Sequence, residues 1–253
     1  MKKKYKKVNA AILIIGNEIL SGRTLDKNSN FIADRCSKIG INIDEIRVIP
    51  DKVRIIKKTV TEASKKYKNV FVTGGIGPTH DDITAYSVAL AFKRKLVLNK
   101  KAKQLLESYY KKSNIELNES RMKMAYLPSQ STLIMNSVSA APGFKIKNVW
   151  VMAGVPEIMR AMFLNSVEPK LERGKIIFSK TIKINKAEGD IAKVIESISK
   201  EFKSMDIGSY PFYKPPMIGT NVVFRCNDKK IINKGIKKLS NFLKRKDISF
   251  SID

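Results

Sequence analysis

The sequence predicts an α/β chain: a three-layer α/β/α domain with a mostly parallel sheet over residues 1–170, then a small α+β domain over 171–253. Three observations predict it. Apolar runs without polar alternation, VNAAILIIG (8–16) and NVFVT (69–73), suit strands buried on both faces. Amphipathic segments of helical period separate them in a βαβαβα order, whose connections suit parallel pairing. Near residues 169–174 the pattern changes, and the remaining C-terminal stretch has the βαββαβ order of a split-βαβ unit.

Taken in order, MKKKYKK reads as a basic tail rather than a signal peptide. The apolar stretch after it is short and has no small-residue cleavage site. NSNFIADRCSKIG (28–40) predicts a helix with Phe31, Ile32, Cys36 and Ile39 on one face, closed by Gly40. INIDEIRVI (41–49) alternates as a strand, and KVRIIKKTVTEASKKY (52–67) is an amphipathic helix. DITAYSVALAF (82–92) reads as a helix, residues 99–126 as helical with two breaks, and NVWVMAGVPEIMRAMF (148–163) as strand, turn and helix. In the second domain 175–184 predicts a strand, 189–202 a helix, 207–213 and 219–226 a strand pair, 228–246 a helix and 248–252 a last strand.

Composition narrows the function classes. No apolar run reaches the roughly 18–20 residues of a membrane span. Two cysteines, Cys36 and Cys226, have neither metal nor disulfide spacing, and the expected location is the reducing cytoplasm. The net charge of +26 comes from 39 Lys and 10 Arg spread along the chain. Base and phosphate recognition favours arginine forks, so a compositional lysine bias is preferred here to a dedicated nucleic-acid surface. Nucleic acid is therefore the less favoured partner, although a basic field attracts phosphorylated substrates.

Ligands of doubly wound sheets bind beyond the carboxyl ends of the strands. Three segments fall there: GNEILSG with Gly16, Asn17, Glu18 and Ser21; TGGIGPTHDD; and AGVPEIM with Gly154 and Pro156. Gly74, Gly75 and Gly77 allow a tight wrap with exposed N–H groups, and Pro78 and Thr79 continue the loop. The loop is neither a P-loop nor a dinucleotide fingerprint, since both glycine spacings are wrong. Local alternatives stand beside a ligand role: a plain strand-to-helix turn for the glycines, a T-x-x-D cap from Thr79 to Asp82, a solvated first-turn acid for Asp81, and for Asp51 the N-cap of the helix beginning at Lys52. Asn28 has a helix N-cap as its own alternative. His80 reads as an exposed loop residue and Trp150 as core. Ser21 has no histidine base or nucleophile elbow, which argues against serine hydrolase chemistry.

IIGNEILSG…DKNSNFIA, VIPDK, VTGGIGPTHDDIT and AGVPEIM together resemble the molybdopterin-binding domain family, over about residues 8–165. Its members include the MogA/MoaB proteins, the N-terminal domain of the competence/damage-inducible CinA proteins and a domain of FAD synthases. THDDIT and IGSYPF (207–212) are most similar to the CinA and FAD-synthase branch. The resemblance implies functional aspartates at Asp51 and Asp82. Lys52 replaces the glutamate of the MogA-type motif, and Asp81 stands where that branch has arginine. It further implies metal-dependent cleavage of nucleotide pyrophosphates such as ADP-ribose or FAD. A divalent ion (Mg, Mn or Co) would sit on Asp82 with Asp81 or Glu18, and Asp51 would orient the ion or the attacking water. Loop amides would hold phosphate, Asn28 and Asn30 would reach the nucleotide, and Gly154 and Pro156 would shape the opposite wall. Molybdopterin is the alternative ligand, and a nonenzymatic nucleic-acid or partner-binding module the third reading. The resemblance also implies a homo-oligomer. In 253 residues there is no room for the CinA amidohydrolase or FAD-synthase adenylyl-transfer domains, so neither activity is expected.

Overall fold

The six-stranded sheet of the first unit explains why VNAAILIIG and NVFVT, inside it, lack polar alternation while INIDEIRVI, at its edge, shows it. The computed structural model describes residues 8–214 and 217–253. The basic tail expected over residues 1–7 lies outside them. The chain divides into one unit ending at Gly174 and a second over Lys175–Asp253. In chain order the first unit contains β1 (Val8–Ile15), α1 (Asn17–Leu20), α2 (Asn28–Lys38), β2 (Ile41–Ile49), α3 (Val53–Lys66), β3 (Asn69–Thr73) and α4 (Thr84–Ala91). Then come β4 (Leu96–Leu98), α5 (Lys100–Lys112), α6 (Glu119–Met122), β5 (Tyr126–Pro128), β6 (Thr132–Ile134), β7 (Gly143–Ile146), β8 (Val149–Met152) and α7 (Pro156–Met162).

The sheet order is β2-β1-β3-β8-β7-β6. The first four strands are parallel, and β7 and β6 add antiparallel at one edge. Alternate residues of β1 enter two different cores. Ala11, Leu13 and Ile15 meet Ile56 and Val60 of α3, Val88 of α4 and Leu106 of α5. Ala10, Ile12 and Ile14 share the other core with Ile32 and Cys36 of α2 and Met159 and Met162 of α7. Both faces of the strand are therefore dry, which is the three-layer arrangement. Trp150 is core, with its indole N–H donated to Asn69 Oδ1 at 3.2 Å. The strands β4 to β7 lie beyond the reach of the sequence pattern, because three or four residues are too few to establish a period.

Two helix starts differ from expectation. The fourth helix begins at Thr84 rather than Asp82, because the Asp82 carboxylate turns back to accept the Thr79 N–H at 2.8 Å. Asp51 does not cap the third helix, whose N-cap Lys52 has no side-chain cap bond.

The second unit has the expected order: β9 (Phe178–Ile184), α8 (Glu188–Glu201), β10 (Asp206–Lys214), β11 (Met217–Cys226), α9 (Lys229–Arg245) and β12 (Phe250–Ile252). Its sheet, β10-β11-β9-β12, is antiparallel throughout. Ile182, Ile184, Val222 and Phe224 pack with Ile191 and Ile198 of α8 and Leu239 and Leu243 of α9. Cys36 and Cys226 are both free and buried, and burial pushes the Cys36 thiol up to about 12. Among the described residues, no helix is long and apolar enough to cross a membrane. Leu13 is fully buried between sheet and helices. Leu13→Ala is expected to lower stability by about 2–5 kcal/mol, read from urea unfolding.

Candidate functional site

Where the parallel strands β1, β2, β3 and β8 end, their loops surround a cavity of about 600 Å³. Gly74 ends β3 at φ +104°, and Gly75 comes next at φ +65°. A Cβ on Gly74 would lie 2.0 Å from the Ile15 carbonyl oxygen, and one on Gly75 would lie 2.3 Å from the Thr84 hydroxyl. Conformation and space both demand glycine there. The Gly74 N–H is donated to Met152 O at 3.2 Å, which ties β3's end to β8. Among the described residues, the N–H groups of Gly75, Ile76 and Gly77 have no acceptor. Successive unpaired amides of this kind make an anion-binding concavity.

Four carboxylates line the same cavity: Glu18, Asp51, Asp81 and Asp82. Asp51 Oδ2 accepts the Asn17 N–H at 2.8 Å, so the residue caps the turn after β1, 34 positions upstream. Its other oxygen has no partner among the described residues. The Thr79 hydroxyl lies 2.5 Å from Asp81 Oδ1 and 2.5 Å from Asp82 Oδ2. A hydroxyl carries one proton and donates to one acceptor at a time, so one of these close oxygen pairs lacks a proton. The Thr79 hydroxyl, followed by the residue's own backbone N–H, holds the Asp81 carboxyl below its usual range, with His80 contributing least. Among the 23 lining residues the only cation is Arg121, although the chain carries 49 Lys and Arg.

Of the residues expected at the site, Gly16, Glu18, Asp51, Gly74, Gly75, Gly77, Pro78, Asp81, Asp82 and Gly154 line the cavity. Thr79 does not line it but clamps the two aspartates. Asn17 contributes its backbone to Asp51, while Ser21 is exposed and bonds Glu18 O at 3.2 Å. Asn30 is exposed on α2, away from the lining, and His80 is exposed as expected. Asn28 does not reach the cavity. It is 6% exposed and donates its amide to Gly154 O at 2.7 Å, bracing the loop after β8. Nor does it cap α2: Asp26 Oδ1 does so, accepting the N–H of Asn28 at 2.9 Å and of Ser29 at 3.1 Å. Pro156 lines a smaller neighbouring cavity of about 50 Å³ with Asn28 and Thr73.

The sequence reading missed the far wall, formed by Tyr109, Tyr110, Ile115, Arg121 and Met124. It also missed Asn136, whose amide and carbonyl are fully used in organising the β6–β7 loop. No three His, Cys, Asp or Glu side chains converge as a metal cage among the described residues. The donors nevertheless suit a hard cation: several carboxylate oxygens remain open, and Mg²⁺ is commonly held by one or two carboxylates plus substrate phosphates.

Gly74→Ala is expected to destabilise the chain by more than the roughly 1–2 kcal/mol of a left-handed residue alone, since the Ile15 carbonyl must also move. Thermal unfolding reads the loss.

Comparison with known proteins agrees with this architecture. Residues 11–173 match the family described as "Probable molybdopterin binding domain", and residues 176–251 match "FAD synthase, middle domain". A protein of Archaeoglobus fulgidus is 36% identical over 236 residues, covering 93% of this chain and 98% of its own. A Caenorhabditis elegans protein named a probable FAD synthase is 32% identical over 258 residues; the match covers 92% of this chain and 50% of that protein. The crystal structure of the CinA protein of Thermoplasma acidophilum, described as of unknown function, is 32% identical with a TM-score of 0.57, over 62% of this chain and 95% of that one. The chain belongs to the MogA/MoaB-like molybdopterin-binding domain family, joined to an FAD synthase middle domain.

Proposed function

We propose that the chain is a metal-dependent hydrolase of nucleotide pyrophosphates, with ADP-ribose or FAD as substrate type. One observation carries this reading: unpaired loop amides suited to phosphate face a cavity holding four carboxylates and a single arginine. An anionic substrate enters such a cavity favourably only with positive charge between it and the acids. Asp81 and Asp82 both line this cavity, and both lie within reach of the Thr79 hydroxyl. Held by Asp81 and Asp82, a divalent ion would supply that charge and acidify water at neutral pH.

The chain's own groups then have separate tasks. The amides of Gly75, Ile76 and Gly77 hold a phosphate. Thr79 keeps Asp81 and Asp82 side by side. Asp51, fixed through Asn17, presents its open oxygen as the base for water. Water adds to one phosphorus, its proton passes to Asp51, and the P–O–P bridge breaks to leave two phosphate monoesters.

Hydrolysis of ADP-ribose and FAD, followed with Mg, Mn or Co present and after EDTA treatment, tests the proposal. Asp51→Asn is expected to lower kcat about 10²–10⁴-fold. Asp82→Asn is expected to raise the metal concentration for half-activity about 10- to 100-fold. Turnover unaffected by EDTA, or full activity in Asp82→Asn, overturns the reading. ATP-dependent adenylylation of molybdopterin without any pyrophosphate hydrolysis would instead favour the pterin alternative.

A further inference from the structure

We infer that the far wall of the cavity, built from Tyr109, Tyr110 and Arg121, is the seat for the planar base of the substrate, and that it makes the site select base-bearing diphosphates. The inference rests on reading the cavity as a nucleotide site and adds which residues hold the ring.

The wall is assembled by the turn between α5 and α6. At the end of α5 the Tyr110 carbonyl accepts the Ile115 N–H at 3.0 Å, and Asn114 adopts a left-handed φ of +51°. The chain thereby reverses within a few residues. Asn118 then caps α6, its Oδ1 accepting the Arg121 N–H at 3.0 Å. Arg121 folds back, donates Nη1 to the Glu116 carbonyl and lies 5.1 Å from the Tyr110 ring centroid. Tyr109 meets Tyr110 edge-on, with centroids 5.4 Å apart at 90°. Two flat rings and a flat guanidinium are thus preset before any ligand arrives.

Three features distinguish this wall from ordinary packing. Tyr109, Tyr110 and Arg121 are half-buried and line the cavity, Tyr110 also packing against the core of the first unit. Arg121 has no carboxylate partner among the described residues, although four carboxylates line the same cavity. A surface arginine placed for charge alone would pair with them; this one is spent on a ring face and a carbonyl. Finally, the phosphate-holding amides and the aspartates belong to the loops after β2 and β3, whereas the aromatic wall comes from α5 and α6. One cavity therefore combines a polar lining from the strand loops with a flat aromatic lining from the helices, which matches a ligand that carries both a phosphate and a heteroaromatic ring. Stacking on tyrosine and guanidinium faces tolerates any base, so the wall selects a ring and does not read its edge.

The test uses the full chain with Mg²⁺ and two ligands that cannot be hydrolysed: α,β-methylene-ADP and methylenediphosphonate, the same bridge without the nucleoside. Calorimetry is expected to show the base-bearing ligand bound more tightly by roughly 5- to 150-fold, the worth of one stacked base. Tyr110→Leu should remove much of that preference while leaving methylenediphosphonate affinity unchanged, and Arg121→Met should weaken α,β-methylene-ADP more than methylenediphosphonate. Tyr110→Phe, which keeps the ring, should restore the preference. Equal weakening of both ligands, no preference in the unaltered chain, or no loss in Tyr110→Leu with its thermal midpoint intact each overturns the inference. Binding is read without turnover, so the two readings fail separately. A chain that shows the tyrosine-dependent preference yet hydrolyses nothing keeps the inference and loses the hydrolase. A hydrolase indifferent to the base does the reverse.

Discussion

The Ile15 carbonyl stands 2.0 Å from where residue 74 would carry a Cβ, and the rest of the site depends on that contact. It exists because β1 and β3 are adjacent parallel strands that end together, with β8 beside them. Parallel pairing brings their carboxyl ends to one edge, so the loops leaving them must compete for the same space. Glycine at position 74 resolves the competition. Gly154 approaches from the third strand, its would-be Cβ 3.2 Å from the Gly74 Cα, and the buried Asn28 amide holds it there. The cavity is what remains when three loops are packed at backbone distance and one turns outward.

The electrostatics arise from the same crowding. The Asp51 and Asp82 carboxylates each accept a backbone N–H, from Asn17 and Thr79 respectively. These bonds fix where the two side chains stand, so the loops gather acidic residues around one cavity of a strongly basic chain. A nonspecific anion site would be lined with some of the 49 Lys and Arg; this cavity admits one. Charge is therefore arranged against the average of the molecule. That contrast, rather than the glycines by themselves, is the reason to invoke a cation between protein and phosphate.

How much was legible in the sequence depended on the range of each signal. The fully buried strands β1 and β3 announce themselves through unbroken apolar runs, and the four-strand C-terminal unit through its element order. Capping patterns misled because they are local. Asp51 precedes a helix and looks like its cap, yet the carboxylate reaches back 34 residues to Asn17. Asp82 lies near a helix start and instead closes the turn upstream of it. Asn28, at a helix start, leaves the capping to Asp26 and spends its amide on Gly154, 126 residues away. No spacing rule encodes those tertiary choices.

The aromatic wall was illegible for a different reason. Tyr109, Tyr110 and Arg121 fall within a stretch whose helical period already accounts for its apolar residues, so a tyrosine pair there reads as packing. What separates wall from core is the left-handed Asn114 and the reversal that sets α6 against the end of α5. Only after that turn does Arg121 reach Tyr110. A chain that ran straight on from α5 would not bring Arg121 over the Tyr110 ring, and the cavity would lose part of its flat lining. The turn at residues 113–118, remote in sequence from every glycine and aspartate of the site, thus supplies the cavity's aromatic lining.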